Sequence, residues 1–171
     1  MAAGDHLAVA RRKLFFPYYH HGIDVGDGTV IHLTGLRKKD AKVVQTSLTE
    51  FLKNGEGVVI EYVCFIDNLM HYKNDMRSPE GREHWMVPSL DEERIEETRK
   101  RIGDPERAVF EARKHLDKSG YNLFSGYSLF ANNCEHFAVF CKTGLALSLQ
   151  SIEHQRVFEE IANATKHRRL F

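Results

Sequence analysis

Short apolar runs and alternating polar and apolar positions fill the first 66 residues, a pattern typical of β-strands. A short apolar run lies within residues 5–11. Two alternating segments, Tyr18–Val25 and Thr29–Thr34, flank Gly26-Asp27-Gly28, and together they predict a β-hairpin. Residues 57–66 are almost continuously apolar and predict a buried strand.

The second half of the chain has helical patterns. Ser89-Leu90-Asp91-Glu92 has the form of a capping box and predicts the start of a charged helix. Asp104-Pro105 places an N-cap residue before a proline at the first helical position, and Asn133 is the N-cap candidate of a third helix. Residues 151–166 predict a last amphipathic helix. The polar segment 38–54 fits either a loop or a short helix.

The pattern predicts one α+β domain over residues 1–171, because a chain of this length fits one domain with a sizeable core. Its parts are a β-rich part at residues 1–66, an irregular loop at residues 67–88 and a helical part at residues 89–171. We expect an antiparallel sheet that contains the N-terminal hairpin to pack on the C-terminal helices.

Charge and composition argue against several classes of protein. Lys and Arg total 24, and Asp and Glu also total 24, so the chain lacks the net positive charge that would favour binding to nucleic acid. No segment approaches the roughly 18 apolar residues that a transmembrane span needs, and residues 1–10 do not resemble a secretory signal. Three cysteines without the spacing of a disulfide framework predict a reduced, cytoplasmic protein.

The length of the hairpin loop decides which histidine shares a face with His32, because strand side chains alternate between faces. A two-residue loop would place His21 beside His32, whereas a three-residue loop with a left-handed Gly28 would place His20 there. The three-residue loop also collects the aliphatic side chains on one face: Ile23, Val25, Ile31 and Leu33. We therefore predict that His20 and His32 form a pair and that His21 faces elsewhere.

Cys134 is the candidate nucleophile. With Asn133 or Asn132 as the N-cap, it lies in the first turn of its helix, where N–H groups and the helix dipole favour a thiolate. The same N–H groups can stabilise the oxyanion that forms on an attacked carbonyl. His136 points about 200° away from Cys134 around the helix and is predicted to be a structural hydrogen-bonding residue. Cys141 is predicted to pack in the core.

Cysteine and histidine also bind metals. A set of Cys134, His136, His20 and His32 lacks the Cys-x-x-Cys or His-x-x-x-His pair that anchors most zinc sites, so we expect no metal. The sequence contains no glycine-rich phosphate loop, since Gly26-Asp27-Gly28 serves a turn. We therefore expect no cofactor.

Two segments resemble a known family. His20-x-Gly22-Ile23-x-Val25-Gly26-Asp27-Gly28-x-Val30-x-His32 resembles the histidine box of the lecithin:retinol acyltransferase-like proteins. Asn133-Cys134-Glu135-His136-Phe137 resembles their cysteine box. In addition, Gly4-Asp5-His6-Leu7 is similar to the first strand of the family, and Tyr127 lies where a tyrosine often precedes the cysteine box.

The resemblance implies a circularly permuted papain-like α+β fold and an acyl-transfer activity. Members of the family take an acyl chain from a glycerophospholipid onto the cysteine as a thioester and pass it to water or another acceptor. By position, Cys134 would be the nucleophile, His20 the general base and His32 the residue that orients His20. Tyr18 and Asn133 are expected near the oxyanion or the substrate.

A glycerophospholipid substrate implies reversible contact with a membrane surface, because this sequence shows no C-terminal anchor of the kind many members carry. That contact is expected from the loop at residues 67–88, the apolar residues 144–149 or the basic C-terminal helix.

Two other interpretations use the same residues. A cysteine amidase or peptidase of the same clan would need a polar groove for a peptide, and a non-catalytic interaction module would keep both boxes to maintain the fold.

Overall fold

The fold combines one antiparallel sheet with four helices in the described part of the chain. The computed structural model describes residues 1–13, 16–35, 41–53, 55–63, 65–67, 90–116, 133–149 and 151. The strands are β1 (His6–Lys13), β2 (Phe16–Asp24), β3 (Thr29–Thr34), β4 (Lys42–Ser47) and β5 (Gly57–Val59). The helices are α1 (Leu48–Leu52), α2 (Glu92–Ile102), α3 (Pro105–Lys114) and α4 (Cys134–Thr143). The sheet order is β4-β3-β2-β1-β5, so the predicted α+β class is confirmed, and the arrangement is consistent with a permuted papain-like fold.

The hairpin between β2 and β3 has the predicted three-residue loop. Ile23 lies opposite Ile31, and the N–H of Val25 donates to the carbonyl of Thr29 at 3.0 Å. Gly28 has a φ of 82°, in the left-handed region that favours glycine. The register that places His20 and His32 on one face is therefore confirmed.

The two faces of the sheet are covered by different helices. One face packs against α3 and α4 through a core that includes all four aliphatic residues predicted to share a face: Ile23, Val25, Ile31, Leu33, Val43, Val109, Ala112, Cys134, Phe137, Ala138 and Cys141. The opposite face packs against the short helix α1 through Leu7, Val9, Val30 and Phe51. The sheet is thus a middle layer, and the two predicted histidines lie on its α1 side.

Aspartates cap the two helices that precede the cysteine. The carboxylate of Asp104 accepts from the N–H of Arg107 at 2.9 Å, and Pro105 follows it as predicted. The capping box predicted at Ser89 is placed too early, because Asp91 is the N-cap of α2 and accepts from the N–H of Arg94 at 2.8 Å. Aspartate is as good an N-cap as serine, and this start puts two glutamates in the first turn, where they complement the helix dipole.

Two segments differ from their predictions. Residues 38–54, for which a loop or a short helix was expected, contain the short helix α1 but also the strand β4. The strand was missed because one of its sides faces a cleft instead of a core and its sequence lacks a strong apolar signal. Residues 57–66 do not form a buried strand. Among the described residues of this segment, only β5 is a strand; it pairs with β1 at the edge of the sheet and leaves Val58 49% and Val59 41% exposed.

Three segments were predicted to contact lipid. The loop at residues 67–88, apart from Asp67, and the helix at residues 151–166, apart from Ser151, lie outside the described residues. The prediction for residues 144–149 was wrong for two of its three leucines, since Leu145 and Leu147 are buried in the core. Among the residues that the structure describes, no helix is long and apolar enough to cross a membrane.

Candidate active site

His20 and His32 form a hydrogen-bonded pair. The Nε2 atom of His20 lies 2.9 Å from Nδ1 of His32, and Nε2 of His32 lies 3.0 Å from Oγ1 of Thr46. The three residues come from the adjacent strands β2, β3 and β4, so the sheet register itself brings them together. A chain of hydrogen bonds of this kind fixes the orientation of both rings.

A glycine and an aromatic ring support the histidine pair. The rings of His20 and His32 each lie 5.3 Å, between centroids, from the ring of Phe51 in α1. A Cβ atom at Gly22 would lie 2.6 Å from Cγ1 of Val30 and 3.1 Å from Cβ of His32. Glycine at position 22 therefore permits the close packing that holds His32 against α1.

The strands β2 and β3 separate beside the histidine pair. Within the described residues 16–35, their pairing is limited to Ile23 with Ile31 and Asp24 with Val30. In an antiparallel strand, the main-chain N–H and C=O groups of every second residue point to the same side. The N–H of Val25 points to β3, so the main-chain groups of Tyr19 and His21 point to that side as well. The strand pairing with β3 thus ends before these two residues.

The thiol of Cys134 enters this gap from the helix side of the sheet. Its Sγ atom donates to the carbonyl of Tyr19 at 3.8 Å, and the N–H of His21 donates to the sulfur. Helix α4 thus delivers its first residue to the place where the sheet is interrupted. His20 and His32 lie on the opposite face, so the cysteine and the histidine pair approach the gap from its two sides.

Cys134 is a protonated thiol at neutral pH. Burial raises its pKa to about 11, and the carboxylate of Glu135 adds to the increase. Hydrogen bonds from the N–H groups of His21, Cys134 and Glu135 act in the other direction but do not overcome burial. The expectation of a lowered thiol pKa was therefore wrong for this structure, because only 3% of Cys134 is exposed.

Both histidines of the pair are neutral at neutral pH. The pKa of His20 is lowered to about 3, mainly by burial and then by repulsion from positive charges on His32 and Arg11. Burial also lowers the pKa of His32 to about 4, and the charges of Lys53 and Arg11 add to the effect. A neutral imidazole can accept a proton, which is the state that a general base requires.

The histidine pair lines a cleft of about 560 Å³ between the sheet and α1. Tyr18 lines the same cleft. Its pKa is raised first by burial and then by the negative charge that a thiolate at Cys134 would carry. Tyr18 therefore lines the cleft and lies within electrostatic range of the cysteine, while Tyr127 lies outside the described residues.

Asn133 is the N-cap of α4, and its side chain is used for that purpose. Its Oδ1 atom accepts from the N–H groups of Glu135 at 2.9 Å and His136 at 3.0 Å. Its Nδ2 atom donates to the hydroxyls of Ser148 at 3.1 Å and Ser151 at 2.9 Å. The ring of His136 completes the capping box, so its predicted structural role is confirmed.

Comparison with known proteins identifies the family of this chain. The sequence model described as lecithin retinol acyltransferase matches residues 1–147. The chain belongs to the lecithin retinol acyltransferase family. Membership suggests a thiol-dependent acyltransferase or hydrolase kind of function. Protein LEAD-SENSITIVE 1 of Arabidopsis thaliana is 31% identical over 161 residues, which cover 83% of this chain and 57% of that protein. The chain therefore spans little more than half the length of this relative.

This member of the lecithin retinol acyltransferase family also contains a buried network that sequence reasoning missed. Nδ1 of His6 lies 2.7 Å from the hydroxyl of Tyr62, and Nε2 of His6 lies 2.8 Å from Nδ1 of His21. His21 lies on the helix side of the sheet, away from the pair, as predicted. His6 lies beside His21 because of the register of β1 against β2, in which Ala8 is opposite His21, and this register was not predicted from the sequence.

Proposed function

We propose that this protein is a thiol-dependent acyltransferase or phospholipase that takes an acyl chain from a glycerophospholipid through a thioester on Cys134. Its family supports acyl chemistry. The observation that carries the proposal is the hydrogen bond between His20 and His32 at a cleft that also contains Tyr18, which lies within electrostatic range of Cys134. In this proposal, Cys134 is the nucleophile, His20 the general base and His32 the positioning residue.

The hydrogen bonds of the pair suggest which nitrogen accepts the proton. If the Nε2–H of His32 donates to Thr46, then Nδ1 of His32 is an acceptor and the Nε2–H of His20 donates to it. The Nδ1 atom of His20 then carries the lone pair. This tautomer gives His20 a basic nitrogen, and His32 stabilises the imidazolium that forms.

The proposed reaction has two steps. The sulfur of Cys134 attacks the ester carbonyl while its proton passes to His20. The N–H of Cys134, which the Asn133 side chain does not cap, stabilises the oxyanion. The lysophospholipid leaves as an alcohol with the proton from His20. Water or another acceptor then gives a proton to His20 and attacks the thioester, which releases the acyl product and restores the thiol. Attack requires the thiol to leave the carbonyl of Tyr19 and turn toward the cleft.

The proposal includes a place of action. Long-chain glycerophospholipids reside in bilayers, so the protein would contact a membrane surface reversibly from the cytoplasm. Tyr19 offers an aromatic side chain for such contact, because it is 51% exposed, on the face of β2 opposite to Tyr18. Its amphipathic ring suits the interface between water and lipid.

The mass of the intact protein after incubation with phosphatidylcholine vesicles tests the proposal. We expect a fatty-acyl adduct, removable by hydroxylamine, on the wild type and on Cys141→Ala but not on Cys134→Ala. Cys141 is a matched control because it is a second buried cysteine of the same helix. The absence of both an adduct and free fatty acid from the wild type would contradict the proposal.

One observation favours a second candidate function, a non-catalytic interaction module. The thiol of Cys134 is buried and its pKa is raised to about 11, as for a cysteine that serves packing. A module of this kind would form no adduct with lipid, and its Cys134 would react with iodoacetamide far more slowly than a free thiol. Both results together would favour it over the acyltransferase.

A further inference from the structure

Two cations line the cleft beside the histidine pair and take no part in the proposed reaction. Arg11 lies on β1 and Lys53 follows α1, and both contribute to the wall that contains His20 and His32. Their charges lower the pKa of both histidines, which places the cations within electrostatic range of the site. A cleft that needs a good base is therefore lined by charges that weaken it.

The positions of the two cations are defined by the end of α1. The Nη1 atom of Arg11 donates to the carbonyl of Leu52 at 2.8 Å, and its Nη2 atom donates to the carbonyl of Phe51. Lys53 is the C-cap of α1, with a φ of 45°. The helix end thus holds the guanidinium at the cleft wall and directs Lys53 to the same rim.

Neither cation is neutralised in the part of the chain that the structure describes. No carboxylate oxygen among the described residues lies within 4.0 Å of the charged nitrogens of Arg11 or Lys53. Glu50 is the single carboxylate among the residues that line the cleft. With neutral histidines, the described lining carries one net positive charge next to the site of reaction.

We propose that Arg11 and Lys53 form a subsite for the phosphate group of a glycerophospholipid, beside the histidine pair. The proposal rests on the proposed function and names the part of the substrate that the cleft recognises. An arginine held by two carbonyls retains N–H donors for a phosphate oxygen, and lysine adds a point charge. A phosphate anchored there would place the neighbouring acyl ester at His20 and offset the positive field on its imidazole.

The subsite predicts discrimination between acyl esters with and without a phosphate. Charge-assisted hydrogen bonds correspond to about 10- to 100-fold in affinity, so ligands with the phosphate should bind more tightly than neutral ligands of equal chain length. Because the cations lie at an open rim, this preference should decrease as the salt concentration rises.

Three variants separate the subsite from the fold. Lys53→Asn removes the charge, and asparagine tolerates the left-handed conformation at this position. Arg11→Lys retains a positive charge but loses the fork that reaches both carbonyls and a phosphate. Arg12→Gln is the matched control, because Arg12 is exposed, adjacent in sequence and on the other face of β1.

Calorimetry with unreactive probes tests the subsite. The probes are a short-chain diether glycerophosphate, the same diether glycerol without phosphate, and inorganic phosphate. We expect the diether glycerophosphate to bind the wild type and Arg12→Gln equally, to bind Lys53→Asn about 10-fold more weakly, and to bind Arg11→Lys more weakly than the wild type. The diether glycerol should not distinguish these proteins. Inorganic phosphate that binds as tightly as the diether glycerophosphate would identify a free-phosphate site instead of a lipid site.

Equal affinity of the diether glycerophosphate for the wild type and Lys53→Asn would overturn the subsite. This outcome is separate from failure of the proposed function, because the probes contain no ester. If the thioester forms on Cys134 while the variants bind the probe equally, only the subsite is refuted. If no thioester forms while Lys53→Asn loses affinity, the acyl chemistry is refuted and phosphate recognition remains.

Discussion

Acid should destabilise this protein through its buried histidines. Burial lowers the pKa of His20 to about 3, and those of His32 and His136 to about 4, from an ordinary value of 6.5. Below pH 6.5, each of them therefore binds a proton in the unfolded chain and resists it in the folded protein. Because the unfolded state binds more protons, the free energy of unfolding is not reduced by these residues above pH 6.5 and decreases as the pH falls below it.

The size of the effect follows from the pKa values. A histidine that titrates near 6.5 when unfolded and near 4 or below when folded lowers the free energy of unfolding by about 2 kcal/mol at pH 5. Three such histidines lower it by about 6 kcal/mol. The total stability of a domain is about 5–15 kcal/mol, so the protein should be close to unfolding at pH 5.

Urea unfolding followed by far-ultraviolet circular dichroism, at steps between pH 8 and pH 5, measures this dependence. The range ends at pH 5 because carboxylates titrate mainly below it, near pH 4. A double variant, His20→Gln with His32→Gln, is the control and should lose the contribution of about 4 kcal/mol that these two histidines make at pH 5. A smaller pH dependence should remain, because the pKa values of His136, His6 and His21 are also lowered. A free energy of unfolding that is constant within about 1 kcal/mol from pH 7 to pH 5 would refute the reasoning.

Four substitutions give three further predictions. Cys134→Ala should abolish turnover of phosphatidylcholine and lower the free energy of unfolding by only about 1–2 kcal/mol; a molten variant would mark Cys134 as a packing residue. His20→Ala should lose far more activity than His21→Ala, whereas His21→Ala should lose more stability in urea, because it breaks the buried bond to His6. Gly22→Ala should cost about 1–3 kcal/mol and reduce activity, because the new methyl group meets Val30; a wild-type melting temperature would contradict this.

The hairpin could be predicted from the sequence because its signals are local. Strand alternation and the glycines of the turn together limit the register to two possibilities, and burial of aliphatic side chains selects between them. The same is true of α4, where Asn133 is an N-cap residue followed by helical periodicity. In both cases neighbouring residues carry the information, so His20, His32 and Cys134 could be placed on their elements.

The rest of the site depends on contacts between distant segments. β4 was missed because Val44 and Thr46 line the cleft instead of a core, and the strand lacks the apolar signature of a buried one. The raised pKa of Cys134 arises from burial between α4 and the sheet, which a local pattern does not report. Arg11 is an ordinary strand residue in sequence, and only the position of α1 brings it to the histidines.

The separation of β2 and β3 explains why the two histidines are spaced twelve positions apart in the sequence, and not ten. In the observed register the position directly opposite His32 is Gly22, so a spacing of ten residues would place two histidines face to face. The actual spacing of twelve makes His20 and His32 diagonal neighbours, one step beyond Gly22 toward the region where the strands part. There His20 follows Tyr19, whose carbonyl accepts from Cys134. A spacing of ten would leave the pair beside the paired part of the sheet, whereas twelve carries the base to the interruption that the thiol enters.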